Sequence, residues 1–297
     1  MRVTDSMLHT GLTDNIQKGL ARMNQNYNRL STGKMINRPS DDPVGLIMGM
    51  RLKNGIKDGK QFTENANAAL ALLNSSDSTL GEMTTVLHRL SELAVKGANG
   101  TLDDVSLEAI ANEVEEIRNE LFHMANVQQE NTYLFAGERT NQPAYSATPN
   151  PPPNLDTITF DGSTQPLQAE VGTGINMEIT VTGDRVFGSF FDDLSTFIDN
   201  LRTGQHDQIS QNDIPAIQNR LDEVLQIRGE IGAKVNRLER NVERMDLMNI
   251  NFKELLSKIE DTDYAEVTMN LKMQESVYQA ALATGARIMQ NTLVNYI

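Results

Sequence analysis

The chain has 297 residues, enough for two or three domains of ordinary size, and a formal net charge of −14 at pH 7. This acidic balance argues against nucleic-acid binding, which needs clustered cations to displace counterions from phosphate. The chain has no cysteine, which excludes thiol catalysis, disulfide bonds and thiolate metal sites. We expect no membrane span, since no apolar run approaches the roughly 18–20 residues required. We also expect no cleavable signal peptide, because the first residues lack an apolar stretch with a small-residue cleavage site.

The first predicted helix carries an apolar seam on one face. Its apolar residues recur in steps of four and three, which is the repeat of a coiled coil. The seam residues are Leu12, Ile16, Leu20, Met23, Tyr27 and Leu30. Gly33 is predicted to end this helix, because glycine is common just past a helix end.

A loop with two prolines leads into the longest predicted helix. Asp42 is predicted to cap that helix, with Pro43 at its first position. We predict a single helix from Pro43 to about residue 98, whose continuity through Gly55 and Gly59 stays open. Thr101 with Asp104 resembles a capping box that opens the next helix. That helix carries Ile110, Val114, Ile117, Leu121 and Met124 on one face.

The middle of the chain, residues 141–204, differs from both sides. Six of the nine prolines fall between Pro143 and Pro166, and proline is excluded from helix interiors. Residues 157–160 and 177–182 alternate with period two between turn residues, which predicts strands. We therefore expect a small β-rich insert with one short amphipathic helix. The apolar face of that helix comprises Phe190, Leu194, Phe197 and Leu201.

The last third is predicted to contain two further helices. Apolar residues follow an unbroken heptad rhythm from Ile217 to Ile259, with Arg228 and Asn249 as its two polar members. These two either extend to solvent at the edge of the seam or fix the register of the helices, and the first interpretation is favoured. After residues 261–263, a final helix carries Tyr278, Leu282, Gly285, Met289, Leu293 and Tyr296 on one face.

Charge separates the ends of the chain from its middle. Residues 1–35 carry a net charge of +3 and residues 264–297 are neutral, so the residues between them carry −17. Both ends are amphipathic and free of proline, which favours an antiparallel coiled coil between the first and last helices. Two paired helices would leave apolar surface exposed, so a further partner is expected.

No group of residues indicates catalysis. The four histidines, which lack metal-ligand spacing, are His9, His88, His123 and His206. The aspartates at 41–42 and 261–263 suit helix capping better than cation binding. Residues 172–174 lack the third glycine of a dinucleotide loop and predict a turn. We therefore expect no catalytic residue, no cofactor and no metal. The many methionines are predicted to fill the core, and adaptable contacts between subunits are compatible with that.

Several motifs resemble those of the flagellin superfamily. Leu30–Pro43 looks like the connection between the terminal helix and the first long helix of these proteins. Its Arg-Pro-Ser-Asp-Asp-Pro sequence is more similar to the hook–filament junction branch than to filament flagellins. Asn131–Gly137, Asp263–Glu266 and Gln279–Gln290 are similar to the same branch. These motifs cover roughly residues 1–140 and 205–297.

The resemblance implies a structural, non-enzymatic protein of the extracellular bacterial flagellum, at the junction between hook and filament, that templates flagellin polymerisation. It implies type III export of an unfolded chain without a cleavable signal, and terminal helices that pair only in the assembled tube. The implied partners are further copies of the chain in a ring, hook-associated protein 1, flagellin and an export chaperone, with neither nucleic acid nor membrane. The alternatives are a minor or major filament flagellin, an enzyme with activity in the insert, or a generic coiled-coil scaffold.

The expected fold is mainly α, a long antiparallel helical bundle or coiled coil of N- and C-terminal segments with a small β-rich insert domain. Residues 1–42 with 262–297 would form the terminal polymerisation region, residues 43–140 with 205–261 a helical rod core, and residues 141–204 the outer insert. The expected polymer interface comprises Leu12, Ile16, Leu20, Met23, Tyr27, Leu30, Leu282, Met289, Leu293 and Tyr296. The expected inter-domain loop contains Asn37, Arg38, Pro39, Asp41, Asp42 and Pro43.

Overall fold

The computed structural model describes residues 5–150 and 155–294, and the chain divides into two compact units. The terminal unit comprises Met1–Asp58 with Met248–Ile297, and the central unit comprises Gly59–Leu247. The predicted mainly helical fold is confirmed, with long antiparallel helices and a minor β-rich part made of two-stranded sheets. Within the described ranges, no helix is both long enough and apolar enough to cross a membrane.

The first two helices begin and end at the residues that the sequence indicates. Helix α1 is Asp5–Thr32, and Gly33 after it has φ of +71°, the left-handed conformation that terminates helices. Helix α2 is Pro43–Gly97, and Asp42 Oδ1 accepts the N–H groups of its residues 44 and 45 at 3.1 and 3.0 Å. Two of the unpaired donors in its first turn are thereby satisfied, which confirms the predicted cap.

Helix α2 is continuous through both glycines in question. In the terminal unit its first residues pack on the end of α7, Ile214–Glu260. A Cβ atom placed on Gly55 would lie 2.8 Å from the Phe252 ring, so this glycine permits a close approach of the two helices without breaking either. Helix α8, Tyr264–Val294, completes the terminal unit.

Apolar seams along the long helices form the core of the central unit. The apolar residues of α2, of α3 (Asp104–Ala125) and of α7 lie in one hydrophobic cluster. Its most deeply buried seam residues include Leu73, Leu80, Leu87, Leu90, Val114, Leu121, Val224, Ile231 and Leu238. The predicted capping box at Thr101 is wrong. Helix α3 begins after Asp103, and the Thr101 N–H and hydroxyl both donate to Asn99 Oδ1, at 3.2 and 2.9 Å, in the preceding turn.

One of the two polar residues in the α7 seam has a partner on α2. Arg228 Nε donates to Asp77 Oδ1 at 3.0 Å. Asp77 lies between Leu73 and Leu80 in the apolar seam of α2. Two polar residues that interrupt apolar seams therefore pair across the two helices. The other polar residue, Asn249 in the terminal unit, is half-buried, and its Oδ1 is shielded from solvent without a protein partner.

Among the described residues, the β-rich part of the central unit contains three antiparallel hairpins. The first, β1–β2, turns through Glu130 and Asn131, both at positive φ, which suits a two-residue hairpin turn. The others pair β3 with β4 and β5 with β6. The strands are β1 Gln128–Gln129, β2 Thr132–Tyr133, β3 Tyr145–Thr148, β4 Thr157–Phe160, β5 Gln168–Gly172 and β6 Ile175–Glu178.

Most local predictions in this region are confirmed, and one is wrong. Strand 157–160 is β4, and the turn at 172–174 joins β5 to β6. The strand predicted over 177–182 ends at Glu178. The Ile179 N–H still donates to the Leu167 carbonyl at 2.8 Å, but the Leu167 N–H donates to the Thr180 side-chain Oγ1 at 2.8 Å, so the regular backbone pairing stops there. The predicted short helix is α5, and the other short elements surround it. Their bounds are α4 Gly183–Val186, α5 Phe190–Arg202, α6 His206–Gln208 and a π-helical turn Ile209–Asp213.

An aromatic cluster connects the hairpins to the short helices. The Tyr145 ring lies 5.6 Å from Phe187 and 5.2 Å from Phe191, and its hydroxyl donates to the Gly183 carbonyl at 3.0 Å. Burial raises the pKa of Tyr145. Aromatic pairs of this kind stabilise beyond the area that they bury, so these few side chains hold the short elements together.

Candidate assembly surface

Helices α1 and α8 pair along their length in the terminal unit. Asn26 Nδ2 donates to Gln274 Oε1 at 3.1 Å, and the Tyr27 hydroxyl donates to Glu275 Oε1 at 3.0 Å. Nearer the start of α1, Leu12 lies 2.8 Å from where a Cβ on residue 285 would be. Contacts thus move backward along α8 as they advance along α1, which confirms the predicted antiparallel pairing.

Four of the six predicted seam residues of α1 are protected by this pairing. Leu20 and Tyr27 are exposed beside the contact, and Gly19 and Asn26 lie on the protected face in their place. One step along a helix turns the side chain by about 100°, so an apolar residue next to the seam can fit the same repeat. The half-buried seam residues are Leu12, Ile16, Met23 and Leu30.

The predicted face of α8 divides in the same way. Gly285 is buried and Tyr278 is half-buried, while Leu282 is exposed. Met289 and Leu293 lie on helical backbone with side chains outside the described part, and Tyr296 lies outside it altogether. The contact with α1 therefore uses only part of the predicted face.

A buried carboxylate joins four segments of the terminal unit. The Glu260 side chain, only 5% exposed, accepts Lys34 Nζ at 2.7 Å and Lys53 Nζ at 2.5 Å. The backbone adds to this joint, because the Met35 N–H donates to the Glu260 carbonyl at 2.6 Å and the Thr262 N–H to the carbonyl of residue 33 at 3.0 Å. The end of α1, the start of α2, the end of α7 and the start of α8 are held to one another.

The surroundings of Glu260 favour its charged form. Burial by itself raises the pKa of Glu260, but the hydrogen bonds from Lys34 and Lys53 outweigh it and leave that pKa below its ordinary value. The hydrogen bond to Glu260 in turn raises the pKa of Lys34. Sequence reasoning missed this joint. A signal was present, since an anion in the last turn of a helix opposes the helix dipole and needs cations from elsewhere.

The aspartates near this joint bind backbone groups. Asp41 Oδ2 accepts the N–H groups of Asn37 and Arg38 at 3.1 and 2.9 Å, and these hydrogen bonds lower the pKa of Asp41. Asp263 Oδ1 caps α8 by accepting the N–H groups of its residues 265 and 266 at 2.9 and 3.2 Å. The predicted capping roles are therefore confirmed at Asp42 and Asp263. Among the described residues, no group of three or more potential ligands could hold a metal ion.

The inter-domain loop lies beside the polar face of α1. Residues 37, 38, 40 and 41 and the α1 residues Asn24, Gln25 and Asn28 line a polar cleft of about 510 Å³. Pro43 is the first residue of α2, so the fixed φ of proline sets the direction in which the chain leaves this loop. The loop is thus fixed by hydrogen bonds from backbone N–H groups to the side chains of Asp41 and Asp42.

Most of the exposed large apolar side chains in the described part belong to the terminal unit. On α8, Met269, Met273 and Val277 repeat every four residues, each about 60% exposed, on the side of the helix away from α1. We call these three the methionine stripe. On α2, Val44, Ile47 and Met48 form a second exposed group. Sequence reasoning missed the methionine stripe, although its spacing of four residues is visible in the sequence.

Comparison with known proteins finds similarity to flagellar proteins. The chain is 24% identical over 308 residues to flagellar hook-associated protein 3 of Escherichia coli, covering 95% of each chain. It is 26% identical to a flagellin of Halalkalibacterium halodurans, covering 95% of this chain and 92% of that one. The solved structure of the flagellar junction protein FlgL from Legionella pneumophila superposes with a TM-score of 0.57 at 16% identity, covering 73% of this chain and 100% of that one.

Two family models match the two helical regions described above. The bacterial flagellin N-terminal helical region matches residues 3–140, and the bacterial flagellin C-terminal helical region matches residues 214–297. Together they cover the long helices and the β1–β2 hairpin, and they leave residues 141–213 between them unmatched. With both of its helical regions matched in order, the chain belongs to the bacterial flagellin family.

Proposed function

We propose that this chain is a structural, non-catalytic subunit of the bacterial flagellum that forms the junction between hook and filament and templates flagellin polymerisation. The observation that carries the proposal is the similarity to hook-associated protein 3, which extends over 95% of both chains. The Arg-Pro-Ser-Asp-Asp-Pro loop, at residues 38–43, supports the same branch of the family.

The terminal unit supplies the assembly element in this proposal. Residues 1–42 with 262–297 polymerise, residues 43–140 with 205–261 form the rod, and residues 141–204 lie on the outside. Burying the exposed apolar side chains of α8 and α2 between neighbouring copies would contribute roughly 25 cal/mol per Å² of apolar area. The polymer interface includes the ten predicted seam residues, and the loop from Asn37 to Pro43 positions the terminal helices.

The proposed partners follow from this position in the flagellum. Copies of the chain form a ring above hook-associated protein 1, and flagellin polymerises on that ring. The chain reaches the outside by type III export, accompanied by an export chaperone. The absence of cysteine suits this route, because an unfolded chain without disulfide bonds can pass through a narrow channel.

A filament flagellin is the second candidate function. The similarity to the Halalkalibacterium halodurans flagellin, at 26% identity, supports it. The two functions differ in amount, because a flagellin forms the bulk of a filament and a junction protein occupies only its base. Quantifying the chain in sheared filaments separates them, with abundance comparable to the main filament protein favouring the flagellin.

The decisive experiment is electron microscopy of cells that lack this gene, together with an assay for flagellin in the culture medium. We expect bare hooks and flagellin monomers in the medium, because export proceeds while polymerisation has no template. Re-expression of the full chain should restore filaments. Normal filaments in the deletion strain would refute the junction role.

A further inference from the structure

The central unit contains a cleft with arginines at its rim and apolar side chains at its floor. It lies between the β5–β6 hairpin and α7 and encloses about 360 Å³. We call it the arginine cleft and define it by the exposed Arg237, Arg240 and Arg244, the exposed Ile175, and the buried Met177 and Leu238 at its floor. The chain as a whole carries −14, so the three guanidinium groups of this concave surface are opposite in sign to the net charge.

The hairpin is held firmly against the helix, so the arginine cleft is a built feature. Asn241 Nδ2 donates to the Val171 carbonyl at 2.6 Å, and Asn65 Nδ2 on α2 donates to the Glu170 carbonyl at 2.8 Å. Beside the cleft, Lys234 pairs with Glu178 at 2.9 Å. Within the described part of the chain the three rim arginines form no ion pair, and no carboxylate lines the cleft.

Charge complementarity indicates what the arginine cleft binds. The outer face of α3 carries Glu108, Glu116 and Glu120, all exposed, and none forms an ion pair among the described residues. We call these three the carboxylate stripe. Neighbouring glutamates of α3 are different, because Glu113 pairs with Arg89 at 2.7 Å and Glu115 with Arg202 at 2.8 Å.

The spacing of the two surfaces also matches. Glu116 and Glu120 are four residues apart on a helix, as are Arg240 and Arg244, so each pair spans about 6 Å. Two such helix faces can form two ion pairs at once. The apolar floor of the cleft lowers the local dielectric and strengthens an ion pair formed over it.

A single copy cannot make this contact with itself. Position along α2 shows how far apart the two surfaces are. The hairpin of the arginine cleft contacts α2 at Asn65, whereas α3, which carries the carboxylate stripe, contacts α2 at Arg89. At a rise of ~1.5 Å per residue these two contacts are about 36 Å apart along α2. The two surfaces are on the same unit but well separated, which is the arrangement of a head-to-tail contact between copies.

We propose that the arginine cleft of one copy binds the carboxylate stripe of a second copy of this chain in the assembled tube. The proposal rests on the proposed function, which places many copies side by side. It adds a specific contact in the central unit to the apolar contacts of the terminal unit. Because the two surfaces differ, the contact is heterologous and can repeat from copy to copy around a ring.

A cross-linking test uses the absence of native cysteine. The full chain with Glu116→Cys and Arg240→Cys is expressed in the gene-deletion strain, and isolated hook–filament structures are treated with a short bismaleimide and separated under denaturing conditions. An ion pair between long side chains keeps the two Cβ atoms beyond the roughly 3.5–4.5 Å that a disulfide needs, so the reagent has to span the gap. We expect a ladder of cross-linked copies. Each single variant, and the control pair Glu116→Cys with Arg139→Cys, should remain monomeric. The proposal is overturned by equal cross-linking in the control, by no ladder in assembled structures, or by a cross-link only to another protein such as flagellin.

Charge reversal provides an independent readout if the double cysteine variant assembles poorly. Arg240→Glu alone and Glu116→Arg alone should each lower incorporation into hook–filament structures about tenfold, because like charges would face each other. Combining both reversals should restore incorporation to within about twofold of the unmodified chain. Single variants that incorporate normally, or a double variant no better than the worse single one, would overturn the proposal.

The two proposals fail differently. If the unmodified chain is absent from the hook–filament junction, the junction role is wrong and this contact is wrong with it. If the unmodified chain is present there while neither cross-linking nor charge reversal responds as expected, only the contact is wrong.

Discussion

At the scale of single residues, Glu260 has a larger structural role than its place in the sequence indicates. One buried carboxylate accepts two ammonium groups, Lys34 and Lys53, from different segments. Both lysines are about half exposed, which weakens each ion pair through solvent screening. Removing the charge is nevertheless costly, because it leaves the two ammonium groups beside a buried neutral side chain without their carboxylate.

Glu260→Gln should lower the free energy of unfolding by about 1–3 kcal/mol, since a neutral amide cannot accept both ammonium groups as strongly. Urea unfolding followed by far-UV circular dichroism measures this change. Glu254→Gln is the matched control, because Glu254 pairs with Lys258 on the same helix with both side chains exposed. The control should change stability by less than about 0.5 kcal/mol. Equal effects of the two substitutions would contradict the role of Glu260.

The pH dependence of the Glu260→Gln effect has a defined sign. The folded pKa of Glu260 lies below its ordinary value, so its charge contributes stability above the unfolded pKa of about 4.3. That contribution is lost as the pH falls through the folded pKa. The difference between the unmodified chain and Glu260→Gln should therefore be constant near neutral pH and shrink below about pH 4. Unfolding curves measured across this range test it, and a difference that grows in acid would refute it.

Gly33 carries two constraints that can be separated experimentally. Its φ is +71°, and a Cβ placed on it would lie 2.7 Å from the Tyr264 hydroxyl. Gly204 has nearly the same φ, +70°, but nothing within 4 Å of its Cβ position. Gly204→Ala should cost about 1 kcal/mol from backbone strain alone, and Gly33→Ala should cost more because Tyr264 must also move. Equal unfolding free energies for the two variants would show that the contact with Tyr264 is unimportant.

At the scale of elements, the pairing of α1 with α8 was predictable and its rotation was not. The heptad repeat identifies helices that pack lengthwise, so the antiparallel pair and the α7 seam follow from the sequence. The repeat does not decide which of two adjacent faces of α1 is buried. Gly19 and Asn26 are seven residues apart, and so are Leu20 and Tyr27, so both pairs fit the heptad period. Packing favoured the face that carries Asn26, because its side chain donates to Gln274. Gly19 lies on that face without a close neighbour, since nothing is within 4 Å of its Cβ position.

Gly285→Leu should disrupt the pairing of α1 with α8, because the Leu12 side chain lies only 2.8 Å from the position that a Cβ on Gly285 would take. We expect the thermal unfolding of α1 and α8 to begin at lower temperature, with a loss of about 1–3 kcal/mol from overpacking. Gly11→Leu is the matched control, since nothing lies within 4 Å of its Cβ position and leucine favours helix over glycine. Circular dichroism melting compares them, and a variant at 285 as stable as the one at 11 would contradict the tight contact.

At the scale of the whole molecule, exposed apolar surface is distributed unequally. Among the described large apolar residues, seven are at least 59% exposed, and only Val105 of these belongs to the central unit. The other six, in the terminal unit, are Met7, Val44, Ile250, Met269, Met273 and Val277. The central unit instead buries its apolar seams in a continuous core. A chain that exposes this much apolar surface in one region usually covers it with a partner, which agrees with a role in assembly.

Replacing the methionine stripe by polar residues should separate folding from assembly. Met269→Gln with Met273→Gln removes exposed apolar groups from the side of α8 away from α1, so the unfolding free energy should change by less than about 0.5 kcal/mol. Filament formation in the gene-deletion strain should fall at least about tenfold, as counted by electron microscopy, through lost apolar burial between copies. Val95→Thr with Leu225→Gln is the control in the central unit and should restore filaments. Normal filaments with the stripe variant would show that these methionines are not in the interface.

The sequence by itself determined the helical architecture, the caps at Asp42 and Asp263, the end of α1 at Gly33 and the family of the chain. These depend on local steric and hydrogen-bonding preferences or on linear motifs, which neighbouring residues specify. Tertiary structure alone decided the Glu260 joint, the Arg228–Asp77 pair, the exposed methionine stripe and the arginine cleft. Each of these depends on which side chains from distant segments meet, and on how each helix is rotated about its axis. A repeat along one helix carries no information about its partner's position, so these features emerge only when the segments pack.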